Sequence, residues 1–73
     1  MKRMIQDAKQ CIEALDSASY ATDESRKLYI KAVSAYTLAV HCKDYNNLVG
    51  CVSALDDMYL YLDEVSDIFN LTY

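Results

Sequence analysis

Apolar positions recur at helical spacing in three separate stretches of the chain. Between residues 4 and 19, Met4, Ile5, Ala8, Cys11, Ile12 and Leu15 alternate with Lys9, Gln10, Glu13 and Asp16, which predicts one amphipathic helix. Lys2 and Arg3 stand at its start, where the helix dipole disfavours cations, so its first turn is expected to fray. From Asp16 to Glu24 the period is lost, and Ser17, Ser19, Thr22 and Asp23 supply side chains that hydrogen-bond their own backbone, the signature of a connection. Thr22 or Asp23 caps a second helix, whose first turn carries Asp23 and Glu24.

The second helix carries Leu28, Tyr29, Ala32, Val33, Tyr36, Ala39 and Val40, and Ala35 and Leu38 widen its apolar arc beyond one stripe. A helix apolar over so much of its circumference touches two neighbours, so it is expected to be the central one. The pattern ends at His41-Cys42-Lys43-Asp44, and Asn46-Asn47 offers capping groups before a third, longest run of Leu48, Cys51, Val52, Leu55, Met58, Tyr59, Leu62, Val65 and Phe69. Gly50, in the first turns of that helix, costs about 1 kcal/mol relative to Ala and suits a close helix approach. Short connections make consecutive helices antiparallel neighbours. The expected fold is all-α, a three-helix antiparallel up-down-up bundle forming one domain over residues 1–73.

Composition narrows the alternatives. One Gly and no Pro argue against hairpins, sandwiches and barrels, whose turns need φ > 0 or a preset φ. A hydrophobic share of 53% with 25% charged residues excludes intrinsic disorder. A chain of 73 residues has little room for a catalytic cleft with its own supporting shells, so a binding or assembly module is favoured over an enzyme. No apolar run approaches the roughly 18 residues of a membrane span, and the chain reads as soluble and intracellular, without direct membrane insertion. Cys11, Cys42 and Cys51 are odd in number and lack CxxC spacing, which points to buried reduced thiols rather than disulfides or zinc. His41, the single histidine, is expected at a surface or helix end. No cofactor, metal or catalytic residue is expected. Tyr20, Tyr45, Tyr61 and Tyr73 are expected to be exposed or at a boundary, and Tyr29, Tyr36 and Tyr59 in the core or a groove.

Charge is segregated. All seven Lys and Arg residues precede residue 44, whereas Asp44, Asp56, Asp57, Asp63, Glu64 and Asp67 follow with no base among them. On a helical period Asp56, Asp63 and Asp67 share one edge near Tyr59 and Leu60, an acidic border on apolar surface that suits a basic amphipathic helix. A net charge of −4 disfavours nucleic acid. The expected groove has Val33, Thr37 and Val40 as one wall and Tyr59, Leu62 and Asp63 as the other, with Asp56 and Asp67 on its rim. An alternative is that a second copy closes the same groove, giving a self-assembling homodimer.

Two segments resemble a known module. Leu28-Tyr29-Ile30-Lys31-Ala32-Val33-Ser34-Ala35-Tyr36-Thr37-Leu38-Ala39-Val40 is similar to the second helix of MIT (microtubule interacting and trafficking) domains, patterned L-Y-x-x-A-V-x-x-aromatic-x-x-A-aliphatic. Tyr61-Leu62-Asp63-Glu64-Val65-Ser66-Asp67-Ile68 resembles the third-helix run Y-L-D-x-A-x-x-L, with Val65 in place of alanine. The resemblance implies an adaptor that binds the C-terminal tails of ESCRT-III subunits as amphipathic helices between helices two and three. It implies a monomer in the cytoplasm, associated with endosomes through its partners. By position Leu62 matches the family's pocket leucine and Asp63 its neighbouring acid, so Leu62→Asp is expected to abolish binding with the fold intact. The family's further acid falls on Ser66 here, beside Asp67, and the segment Asp16 to Arg26 departs from the family's usual first connection.

Overall fold

A computed structural model describes residues 2–72; Tyr73, expected at a surface or boundary, lies outside them. Three helices follow in order, α1 (Lys2–Leu15), α2 (Asp23–Asp44) and α3 (Leu48–Thr72), with a short 3-10 turn at Ala18–Tyr20 between the first two. Their directions alternate, as the short connections require, and among the described residues there is no strand. The periodicity placed each helix and its order correctly. Two local features differ from expectation: α1 already runs from Lys2 despite the unfavourable cations at its start, and the first connection contains helical structure of its own.

Local chemistry sets the boundaries. Thr22 has extended backbone (φ −142°, ψ 166°) and forms a reciprocal cap: its Oγ1 accepts from the Ser25 N–H, and its own N–H donates to Ser25 Oγ, both at 3.0 Å. The other end of α2 closes on Asn46, which adopts the left-handed conformation (φ 58°). There the Asn46 N–H donates to the Lys43 carbonyl at 3.0 Å and the Asn47 N–H to the Cys42 carbonyl at 2.8 Å, which satisfies two of the carbonyls a helix end leaves over. Asn47 then caps α3, its Oδ1 accepting from the Gly50 N–H at 3.0 Å.

The first connection is held from α2. The Arg26 guanidinium donates from Nη1 to Ser19 Oγ at 2.9 Å, lies 3.5 Å from Asp16 Oδ1, and stands over the rings of Tyr20 and Tyr29 at 4.3 and 5.2 Å. The buried Ser25 hydroxyl is 2.8 Å from the Ser19 carbonyl, to which it donates. Tyr29 donates its phenol to the Ile12 carbonyl at 3.1 Å. Ile12 is in the last turn of α1, where carbonyls have no intrahelical partner, so the tyrosine acts as that helix's cap from outside.

α2 and α3 form the tightest pair. Cys42 faces Gly50, Lys31 lies over Tyr61, and Glu24 and Leu28 lie beside Glu64 and Ile68, so partners run in opposite directions along the two helices. The buried small residues Ala32 and Ala39 on α2 and Cys51 and Ala54 on α3 let these axes approach. Met58, Leu55, Leu62 and Val65 fill the space beneath α1, which contributes Ile5, Ala8 and Ile12. The molecule measures 40 × 17 × 13 Å. α3 sets its length at about 37 Å, whereas α1 spans only about 21 Å. α1 packs over about half the length of the α2–α3 pair on the side where Tyr29 meets Ile12 and Tyr59 meets Cys11 and Asp7, opposite the side carrying Leu28, Ala35, Tyr61 and Ile68.

Candidate functional site

The eight residues expected to build the binding groove do not converge. Leu62 is 2% exposed and belongs to the core, so it cannot serve as the floor of an open pocket. Its helical phase, shared with Leu55 and Val65, points beneath α1. Tyr59 faces α1, where burial, followed by the Cys11 thiol and the Asp7 carboxylate, pushes its phenol above the usual tyrosine range. Val33 and Val40 are half-buried on the edge of α2 that also carries Tyr29 and Tyr36, the edge turned toward α1. Thr37 is exposed and its hydroxyl donates to the Val33 carbonyl of its own helix at 3.0 Å. The expected groove thus lies on the side that α1 occupies. Asp56, Asp63 and Asp67 are all exposed and share one side of α3, as their spacing requires.

An open groove between α2 and α3 exists on the other face. One shallow depression of about 400 Å³ is lined by Ile30, Lys31, Ser34, Ala35, Leu38, Asp57 and Tyr61. A second, of about 240 Å³, is lined by Glu24, Leu28, Glu64, Asp67 and Ile68. Leu28, Lys31, Ala35 and Leu38 step along α2 by three and four residues, and Asp57, Tyr61, Glu64 and Ile68 do the same along α3. Each helix therefore presents a seven-residue repeat to the groove, the geometry into which a third helix interdigitates. Glu24, Asp57, Glu64 and Asp67 make the rim anionic, and the one lysine of the lining, Lys31, has its ammonium drawn over the Tyr61 ring at 6.0 Å.

Of the expected residues only Asp67 lines this groove. The others that line it were marked by two signals: the widening of the α2 arc by Ala35 and Leu38, and the boundary position expected of Tyr61. Apart from Lys31 and Ser34 the set is aliphatic, aromatic and carboxylate, a chemistry complementary to an apolar, cationic surface. Tyr20 and Tyr45 are exposed and Tyr61 half-buried, Tyr29 is buried and Tyr36 half-buried, each in its expected class, whereas Tyr59, expected in the core or a groove, is 38% exposed at the edge of α3 beside α1. His41 is exposed in the last turn of α2. All three thiols are free, but only Cys51 is buried; Cys11 and Cys42 are half-buried at helix edges, which corrects the expectation of three buried thiols. Among the described residues no cluster of three or more His, Cys, Asp or Glu is placed to hold a metal ion, and no helix is long and apolar enough to cross a membrane. Compared with protein-family models, curated proteins and solved structures, the chain matches none.

Proposed function

We propose that the chain is a protein-interaction module, not an enzyme, that receives a basic amphipathic helix in the groove between α2 and α3. The observation that carries this reading is the acid-rimmed apolar groove on the face α1 leaves uncovered, with seven-residue repeats on both walls. In keeping with the MIT resemblance, the ligands of this chemistry are the C-terminal tails of ESCRT-III subunits, met as single helices by one copy of the chain at cytoplasmic, endosome-associated sites. Burying two or three partner leucines supplies several kcal/mol at about 25 cal/mol per Å², of which association costs leave a modest affinity. Repetition of tails along a filament raises it through effective concentration.

Titration of leucine-rich basic tail peptides against the fluorescently labelled chain tests the proposal. Leu38→Asp, on a side chain more than half exposed, is expected to weaken binding at least tenfold with the circular dichroism spectrum unchanged. Glu64→Gln is expected to weaken it less and to reduce its salt dependence. Equal affinity of Leu38→Asp and the parent chain would remove the groove from consideration.

A further inference from the structure

The end of the bundle at the α2–α3 turn differs from the rest of the molecule in both charge and exposed apolar surface. Tyr45, Leu48 and Val49 stand at this end, exposed by 82, 52 and 81%, with Val52 one turn behind them. Lys43 is in the last turn of α2. Tyr59 lies beside Asp7 and Cys11, and α1 and α3 run the same way, so Lys2 and Arg3 are level with Val52 and Ser53. Over residues 2–5 and 40–53 the charged side chains are Lys2, Arg3, Lys43 and Asp44, a net charge of +2 with His41 neutral. The remainder of the chain carries −6, for the total of −4. The next acids, Asp7 and Asp56, lie about 12 Å or more behind Leu48 along the axis, beyond a Debye length of about 8 Å at physiological salt.

We propose that this end docks on an anionic lipid bilayer, the rod standing upright on the surface with its acids directed away. Charge and depth together select this occupant. From Leu48 to Val52 the exposed apolar side chains span only about 6 Å of axis, too short a stripe for a partner helix to interdigitate along but matched to the 5–10 Å headgroup and acyl boundary. Tyrosine, lysine and arginine suit that boundary, with an apolar body below and a polar tip in water. Lys43, Lys2 and Arg3 stand within about one turn of the apolar side chains, at the height of the lipid phosphates. The acidic remainder is repelled by the same surface, so the orientation is fixed. Nucleic acid, the other polyanion, offers no apolar layer to receive Tyr45, Leu48 and Val49, and a second copy meeting end to end would oppose cations. The opposite end also exposes a leucine, Leu71 at 88%, but it carries Asp23, Glu24 and Asp67 and so lacks the charge for such a surface. The contact is peripheral: no described helix is long and apolar enough to cross a membrane. With three cations and a net charge of −4 on the whole chain, adsorption is weak and reversible. The apolar side chains of this end line neither depression of the α2–α3 groove, so the proposal stands apart from the groove reading.

Co-sedimentation of the full chain with vesicles is the test. Phosphatidylcholine vesicles with roughly one-third phosphatidylserine are expected to carry the chain down, phosphatidylcholine alone to leave it in solution, and about 0.5 M salt to release it. Lys2→Gln with Arg3→Gln is expected to weaken partition about fivefold per charge, and Val49→Ser about tenfold. Leu60→Ser, about 18 Å behind Leu48 on α3, and Leu71→Ser are expected to partition as the parent does. All these side chains are exposed, so the variants retain the fold, which circular dichroism checks. The chain has no tryptophan, so Val49→Trp and Leu60→Trp each introduce a single reporter. On the anionic vesicles only the first is expected to shift its emission to the blue and to be quenched by brominated acyl chains. A parent chain that stays in solution with those vesicles overturns the proposal. So does a Val49→Ser that partitions as well as the parent, or a Leu60→Trp whose emission shifts as far as that of Val49→Trp. Self-association without lipid that Val49→Ser abolishes also overturns it and assigns this end to a second copy. Peptide titration in the absence of lipid reads the groove separately.

Discussion

Gly50 and Cys42 meet so closely across the α2–α3 turn that a Cβ on Gly50 would stand 3.0 Å from the Cys42 sulfur and 2.6 Å from the amide nitrogen of Asn47. Helix propensity alone makes Gly50→Ala a gain of about 1 kcal/mol. Here the methyl displaces the side chain whose Oδ1 caps α3, and loss of such a cap costs about 1 kcal/mol, with the sulfur contact added. Gly50→Ala is therefore expected to leave stability unchanged or lower it by about 1 kcal/mol in urea denaturation. Cys42→Ala should relieve part of that cost, seen as a favourable coupling in a double-mutant cycle. A gain of the full propensity difference would show that α3 has room to shift.

Asn46 supplies the left-handed residue that closes α2. Asparagine tolerates this conformation better than most residues but less well than glycine. Asn46→Gly is expected to raise stability by a few tenths to about 1 kcal/mol, and Asn46→Ala to lower it by about 1 kcal/mol. Thermal unfolding of the two variants checks the order, and an Asn46→Ala at least as stable as Asn46→Gly contradicts the closure.

Tyr29 links stability to alkaline pH. Burial, then the nearby Asp16 carboxylate, raises its phenol above the ordinary 10.0, with Arg26 partly offsetting the shift. The unfolded chain releases this proton first, so the folded state binds more protons in that range. The contribution is intact below about pH 10 and is lost as the pH climbs toward the folded value, where the phenolate can no longer donate to Ile12. Tyr29→Phe is expected to cost about 1 kcal/mol at neutral pH and to flatten part of the decline above pH 10, measured by urea midpoints against pH. An identical alkaline slope in the variant excludes Tyr29 as a source; Tyr59, raised for similar reasons, would remain.

Which of these features were legible in the sequence follows from the range over which each is determined. Helices, their order and their caps depend on residues within one or two turns, and the pattern around Thr22, Asn46 and Asn47 carried them. The azimuth of a helix in the bundle depends on a partner that local pattern does not name. Val33 and Leu38 are both apolar positions of α2, and only the placement of α1 decides that the first is covered while the second faces water. The same ambiguity misplaced Leu62, Tyr59 and Val40, while the acidic character of α3 was readable because charge survives an error in azimuth. Arg26 escaped notice for another reason: its contacts to Asp16, Ser19, Tyr20 and Tyr29 span an irregular connection that has no period to read.

Leu62 and Tyr61 are adjacent in sequence and have opposite consequences for a charge. Leu62 is in the core between α3 and α1, where an aspartate would lose water without gaining a partner, a cost of several kcal/mol added to the lost apolar contact. A chain of this size holds about 4 to 11 kcal/mol of stability at about 0.05–0.15 kcal/mol per residue. Leu62→Asp is thus expected to unfold most of the protein and to lose binding only as a result, correcting the expectation that the fold survives. Tyr61 is half-buried at the groove, its ring under Lys31. Tyr61→Asp keeps one edge in water, so the circular dichroism spectrum should persist, with a loss of about 1–2 kcal/mol in stability, while peptide affinity falls at least tenfold. A folded Leu62→Asp that no longer binds, beside a Tyr61→Asp that binds as well as the parent, would return the ligand to the α1 side of the bundle.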